Sequence, residues 1–235
     1  MPKKLSGNAL TSVICVLLAP VVIISCFFLI RGKQYYLASA VTILLALAAL
    51  FASLEKKKLQ TRELVTIACI VALAVAGRAA LFMLPQVKLT CAIVILAAIS
   101  FGPDVGFLCG ALSMLVSNVI FGQGAHTPFQ MFGMGLVAFL CGVLFYKKKS
   151  ARNRWLVAAV GGLLCFAVYG FIVDTSSVLF FAQSSDIKAI LAVYASGVSF
   201  NLIHAATTFV TLALFAPYIG ETFERIAKKY ELFRA

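Results

Sequence analysis

Nine polar or ionisable residues stand inside long apolar stretches of the sequence or in a short loop between two of them. Such side chains are costly in a membrane and usually face a bundle interior or a cavity. No His-Glu-x-x-His or Cys-x-x-Cys spacing accompanies them, so the pattern predicts neither a metal site nor catalytic residues. It favours binding of a polar solute. The predicted substrate-binding residues are Arg78, Asn118, Gln123, His126, Thr127, Gln130, Asp174, Asn201 and His204.

The depths of these residues along their predicted helices are similar. Arg78 is predicted about six residues before the end of its helix, which corresponds to roughly 10 Å, and Asp174 to a similar depth. Asn118 falls in a last helical turn, while Asn201 and His204 share one helical face at i and i+3. The polar groups therefore gather towards one side of the membrane, as a site for capturing an external solute requires.

The loop after Asn118 carries Gly122, Gly124 and Pro128, which specify an unusual backbone rather than a generic connection. We expect its polar side chains to contact the ligand. The alternative is a loop whose polar side chains are simply solvated.

The other predicted residues also have structural alternatives. Arg78 can reach the headgroups or form an ion pair with Asp174. Asn118, Asn201 and His204 can hydrogen bond between helices without touching any ligand.

Composition identifies the elements that position these residues. The chain of 235 residues is 63% hydrophobic and 12% charged, which is too apolar for a soluble domain. Its apolar runs are near the length that crosses a bilayer. We therefore predict an all-α integral membrane protein with helices at residues 8–30, 35–54, 62–84, 88–101, 104–121, 127–146, 155–180 and 188–218.

The basic residues indicate orientation, because cytoplasmic loops accumulate Lys and Arg. They concentrate at the amino terminus, at residues 56–62, at residues 147–154 and at residues 225–234, all on one side of an even number of crossings. Both termini are therefore predicted to be cytoplasmic. The basic stretch before residue 62 separates a two-helix extension, residues 1–58, from a six-helix domain, residues 59–235.

Two stripes of small residues predict close helix contacts. Ala68, Ala72 and Ala76 follow one another at four-residue spacing on a single helix, where the alternative is packing within the bundle. The second stripe is expected to pack inside the bundle, and it consists of Gly102, Gly106, Gly110, Ser113 and Ser117.

From residue 62 onwards the sequence resembles the substrate-binding S components of energy-coupling factor (ECF) transporters. The resemblance rests on residues 102–107, 110–113 and 117–118 and on the loop at residues 121–131. It implies a six-helix bundle in a bacterial plasma membrane that binds an external vitamin. It also implies a transmembrane coupling subunit (T component), which Ala68, Ala72 and Ala76 would contact, and two cytoplasmic ATPases. This chain would bind no cofactor, since its partners use the ATP.

Within that family, residues 78–82, Pro85, Lys88 and the Gly-Gln-Gly segment are most similar to the cobalamin-type group. Riboflavin, pantothenate, a thiamine precursor and a queuosine precursor are the alternative substrates. Two features depart from the family pattern: the two additional amino-terminal helices, and Ala125-His126 where similar sequences have Pro-Trp. Two alternatives are not transport proteins. One is a membrane enzyme that uses His126, His204 and Asp174, and the other is a structural adaptor.

Overall fold

A computed structural model describes residues 59–124, 126–181 and 187–233, together with a few positions between residues 41 and 48. The predicted helices at residues 8–30 and 35–54, and the boundary near residue 58, lie almost wholly outside the described residues. The helices are α1 (Thr61–Ala80), α2 (Thr90–Phe101), α3 (Pro103–Phe121), α4 (Thr127–Phe145), α5 (Arg154–Leu164), the π-helical segment π1 (Cys165–Gly170), α6 (Phe171–Phe181) and α7 (Ile187–Lys229).

The described part of the chain confirms an all-α membrane protein. The segments α5, π1 and α6 form one continuous rod, of which Arg154–Val178 is apolar enough to cross a bilayer. The helices α1, α3, α4 and α7 also have the length and hydropathy of membrane spans, whereas the apolar helix α2 has 12 residues. The helices predicted at residues 88–101 and 104–121 are both present.

Two predicted boundaries were wrong. The first described helix ends at Ala80 and not at residue 84, because Pro85 disfavours helical backbone in the residue before it and Gln86 has a positive φ of 59°. Arg78 consequently lies in the last turn of α1. At the other end of the chain, α7 continues past residue 218 to Lys229, because its amphipathic last turns bury Phe223.

The second small-residue stripe packs inside the bundle, as predicted. Gly102 has a φ of 112°, which glycine adopts without strain, and it turns the chain directly from α2 into α3. A Cβ on Gly106 would lie 2.2 Å from that of Ala98, and one on Gly110 would lie 2.9 Å from the backbone of Gly135. These glycines let α3 approach α2 and α4 closely, so the three helices form the centre of the core.

The alanine stripe has the opposite environment. Ala68, Ala72 and Ala76 are all exposed on the outer face of α1. They therefore do not serve packing among the described helices, and the predicted contact with a partner remains a prediction.

Candidate functional site

A cavity of about 300 Å³ lies at the end of the bundle where α1 ends and α7 begins, which we call the cavity end. The turn before α2, the first turn of α4, π1, α6 and the first half of α7 enclose it. Its lining mixes polar and aromatic side chains. The lining residues are Gln86, Lys88, Gln130, Tyr169, Val173, Asp174, Ser177, Val193, Ser196, Gly197, Phe200, Asn201 and His204.

The cavity wall between α6 and α7 is built around a hydrogen-bonded pair. Asn201 donates from Nδ2 to Asp174 Oδ2 over 2.7 Å. A Cβ on Gly197 would lie 2.4 Å from the carboxylate, and one on Gly170 would lie 2.7 Å from the Asn201 amide. The two glycines therefore provide the space that the two polar side chains occupy.

Arg78 lies behind the cavity, where it is tied to the end of α3. Its Nη1 donates to Ser117 Oγ and, over 2.9 Å, to Asn118 Oδ1. Its guanidinium also lies 5.1 Å from the centre of the Phe121 ring. Asn118 in turn donates from Nδ2 to Gln130 Oε1 over 2.9 Å. Since Gln130 lines the cavity, this network connects the half-buried arginine with the cavity wall.

Thr127 organises the loop between α3 and α4. Its Oγ1 accepts hydrogen bonds from Asn118 Nδ2 at 3.1 Å and from the Gly124 amide at 3.2 Å, and it donates to Gln123 Oε1 at 2.9 Å. The side chain of His126 packs next to Gly124, so that a Cβ there would lie 2.7 Å from the imidazole. These contacts hold the loop against the bundle.

His204 is a buried polar group of the cavity lining, with 3% of its surface exposed. Its ring meets that of Tyr169 edge to face, with 5.2 Å between the centroids. Its Nε2 has no hydrogen-bond partner among the described residues. An unpaired buried nitrogen is costly, so this atom is available for a ligand.

Lys88 lies in the turn between α1 and α2 and brings a positive charge to the cavity. Its Nζ donates to Gln86 Oε1 over 3.4 Å. Burial, and secondly the charge of Arg78, lowers the pKa of Lys88 to about 8. The Lys88 ammonium therefore loses its proton readily above neutral pH. A hydrogen-bond acceptor or an anion bound in the cavity would stabilise the charged form.

The structure divides the nine predicted residues into two groups. Four line the cavity: Gln130, Asp174, Asn201 and His204. The other five are Arg78, Asn118 and Thr127, which support the cavity wall from behind, and Gln123 and His126, which belong to the loop. Arg78 hydrogen bonds with Asn118, whereas Asp174 accepts a hydrogen bond from Asn201. The described contacts therefore do not include the ion pair between Arg78 and Asp174 that was the alternative.

Sequence reasoning did not assign Gln86, Lys88, Tyr169, Ser177 or Ser196 to the site. Helical spacing is the signal that would have found one of them. Ser177 lies three residues after Asp174 and therefore shares a helical face with a predicted residue.

A larger and almost wholly apolar groove of about 770 Å³ lies at the opposite end of the bundle, between the start of α1 and the end of α7. Val65, Cys69 and Leu73 line it from α1, and Phe223 and Ile226 line it from α7. Its lining lacks the convergent polar groups of a small-molecule site, so the smaller cavity is the better candidate.

Among the described residues, no group of three or more His, Cys, Asp or Glu side chains is placed to hold a metal ion. The site consists of hydrogen-bonding groups around a small cavity within a bundle of membrane-spanning helices. This combination defines a multi-pass membrane protein with a candidate solute-binding site at one end.

Comparison with known families identifies that class more closely. Residues 58–219 match the family model of the ECF-type riboflavin transporter, S component. The match covers more than half of the chain, and the chain therefore belongs to this family of transporter components, which are substrate-binding subunits rather than enzymes. None of the curated proteins matches the chain.

Proposed function

We propose that this protein captures a small vitamin at the predicted outer face of the membrane for import by an ECF-type transporter. The observation that supports it best is the cavity at the end of the bundle, where Gln130, Asp174, Asn201 and His204 converge from three helices. A polar cavity at one end is suited to high-affinity capture, whereas a channel would need a polar path through the whole bundle.

Riboflavin is the substrate that we favour. Riboflavin is the vitamin in the name of the family that residues 58–219 match. The cavity volume of about 300 Å³ also lies at the lower end of the range for small-molecule sites. Cobalamin, which the sequence motifs favoured, is several times larger than riboflavin. Its binding would require the helices around the cavity to separate, and it is the second candidate in the test below.

The exposed alanine stripe is the proposed contact with the T component. Ala68, Ala72 and Ala76 form a smooth face on α1, which allows another helix to approach closely. Two cytoplasmic ATPases would bind the T component and hydrolyse the ATP, and this chain would bind neither nucleotide nor cofactor. The bacterial plasma membrane is the proposed location.

The proposal is tested by binding measurements on the full chain purified in detergent, with riboflavin, cobalamin, pantothenate and thiamine as the panel. Ligand-dependent thermal stabilisation is the readout, because a ligand that binds only the folded state raises the melting temperature. We expect one vitamin to stabilise the protein strongly. Asn201→Leu should abolish that shift, and Gly220→Ala, on the same helix but away from the cavity, should preserve it. Absence of a shift with every vitamin would contradict the proposal.

A further inference from the structure

The chain folds back on itself directly after α7, over residues 230–233, which we call the strap. Glu231 and Phe233 have positive φ values of 51° and 53°, which residues other than glycine rarely adopt. The Leu232 amide donates to Ala227 O over 3.0 Å, and the Leu232 side chain is buried. Two disfavoured backbone conformations in one short segment persist only where contacts with the rest of the fold offset them.

Glu63, in the first turn of α1, supplies one such contact. Its Oε1 accepts a hydrogen bond from the Phe233 amide over 2.7 Å, although the two residues are 170 positions apart in the sequence. Its Oε2 accepts from the Gln60 amide over 2.9 Å and so caps α1. The Phe233 ring also packs against Phe101 at the end of α2, with 5.6 Å between the ring centroids. One carboxylate therefore joins the start of α1 to the strap.

The strap is a wall between two spaces of different character. On one side lies the apolar groove of about 770 Å³, which Tyr230 and Leu232 line together with residues of α1. On the other side lies a pocket of about 290 Å³, which Leu232 and Phe233 line together with Lys147 and Lys228. Leu232 belongs to both linings. Because a groove of this volume remains with the strap in place, the strap shapes the groove and does not fill it.

We infer that Glu63 clamps the strap, and that the clamped strap is the wall against which an apolar helix of the T component docks in the groove. This inference rests on the proposed function, in which the T component contacts α1. Continuity along α1 supports it, because Cys69 and Leu73 line the groove. Their sequence neighbours Ala68 and Ala72 belong to the exposed alanine stripe, so groove and stripe form one surface. Glu63 acts through the strap and is therefore a positioning residue.

Hydrogen exchange of the full chain in detergent tests the clamp. In Glu63→Ala the Phe233 amide loses its acceptor, and a peptide containing residues 230–233 should exchange about tenfold faster than in the wild type, or more. Gln60→Pro is the matched control, because it removes the other donor to Glu63 and leaves the Phe233 contact. Gln60 has a φ of −73°, which suits proline. The control should keep the wild-type exchange rate in the strap, and wild-type exchange in Glu63→Ala would overturn the clamp.

Uptake and binding measurements test the role of the clamped strap in docking. In cells that contain the T component and the ATPases, Glu63→Ala should lower vitamin uptake about tenfold or more. Binding of the vitamin by the isolated variant should stay at the wild-type affinity, because the cavity lies at the other end of the bundle. Glu63→Gln keeps an acceptor for the Phe233 amide and should restore most of the uptake. Rescue by this conservative variant is not expected if the charge of Glu63 itself were required.

Leu232→Ala is the second variant, since it removes the buried anchor of the strap and leaves α1 unchanged. It should lower uptake as Glu63→Ala does, and the melting temperatures of the ligand-free variants identify any that fold poorly. Fast strap exchange with wild-type or increased uptake would overturn the docking role. An equal loss of uptake in Gln60→Pro would overturn it as well, because the effect would then belong to the cap of α1. If the wild type bound no vitamin, the proposed function would fail, while hydrogen exchange would still decide the clamp.

Discussion

Asn201 and Asp174 are held together by a 2.7 Å hydrogen bond between α7 and α6, and each side chain lies against a glycine of the other helical rod. Gly197 of α7 faces the carboxylate, and Gly170 of π1 faces the amide. Two polar residues and two glycines thus form one unit. A change at any of the four positions should alter the donor and acceptor groups offered to a ligand.

Replacement of Gly197 by alanine should weaken vitamin binding about tenfold or more. The added methyl group would lie 2.4 Å from an oxygen of Asp174, and overpacking of this kind typically costs about 1–3 kcal/mol, here taken largely from the geometry of the Asp174–Asn201 pair. Titration calorimetry with the bound vitamin measures the effect. Gly220→Ala is the control, because no atom lies within 4 Å of a Cβ built there. Equal affinities in both variants would show that the pair does not contribute to binding.

Vitamin binding should weaken as the pH rises through about 8. The pKa of Lys88 is lowered to about 8, so the ammonium loses its proton in this range, and the cavity loses a positive charge and the stronger hydrogen bond that the charge supports. The affinity of the wild type, measured between pH 6.5 and 9.5, should fall across this window. Lys88→Met should bind more weakly than the wild type below this window and should show no such step. An identical step in that variant would assign the pH dependence to another group.

The same group predicts how the stability of the ligand-free protein responds to pH. Lys88 has a folded-state pKa below the value of 10.5 for an unperturbed lysine, so between about pH 8 and 10.5 the unfolded chain binds more protons than the folded one. The contribution of Lys88 to the free energy of unfolding therefore increases with pH through this window. Comparing melting temperatures of the wild type and Lys88→Met across the window isolates this contribution.

His204→Phe should separate stability from binding. Phenylalanine can keep the edge-to-face contact with Tyr169 while removing the unpartnered Nε2, whose burial costs about 1–3 kcal/mol. The ligand-free variant should melt at the same temperature as the wild type or higher, but it should bind the vitamin more weakly. A lower melting temperature with unchanged affinity would assign His204 a purely structural role.

Ala72→Leu should block uptake without affecting binding by the isolated protein. The larger side chain would disrupt the smooth exposed face of α1 that we assign to the T component, whereas the cavity lies elsewhere. Asn118→Ala should have the opposite effect, with weaker binding in detergent. Uptake of labelled vitamin by cells and binding in detergent are the two measurements. Ala159→Leu, at an exposed alanine of α5, is the matched control, and loss of uptake there as well would indicate a general insertion defect.

Much of the helical architecture was predictable, because long apolar runs indicate membrane-spanning helices and the Gly, Pro and charged residues between them indicate where the helices end. The turn at Gly102 is an example, since glycine followed by proline specifies both the end of α2 and the start of α3. The end of α7 at Lys229 was not predictable from hydropathy. Its final turns leave the apolar run and are amphipathic, so tertiary packing of Phe223 decides their length.

The site was predictable in part. Residues that are costly in a membrane, such as Asp174 and His204, stood out by type alone. The distinction between lining and supporting residues did not, because it depends on which hydrogen bonds each side chain makes. Arg78 illustrates this: its charge suggested ligand contact, but its bonds to α3 place it behind Gln130.

The π1 segment has a consequence for how this helix is compared between relatives. A π-helix has one more residue in its turn than an α-helix, which is why it commonly behaves as a single-residue insertion. A relative that lacked one residue between Cys165 and Gly170 would have a regular α-helix there, and everything after it would be rotated by about 100°. Asp174 would then turn away from Asn201. A one-residue alignment gap in this segment would therefore mark a differently arranged cavity wall, even where every lining residue was identical.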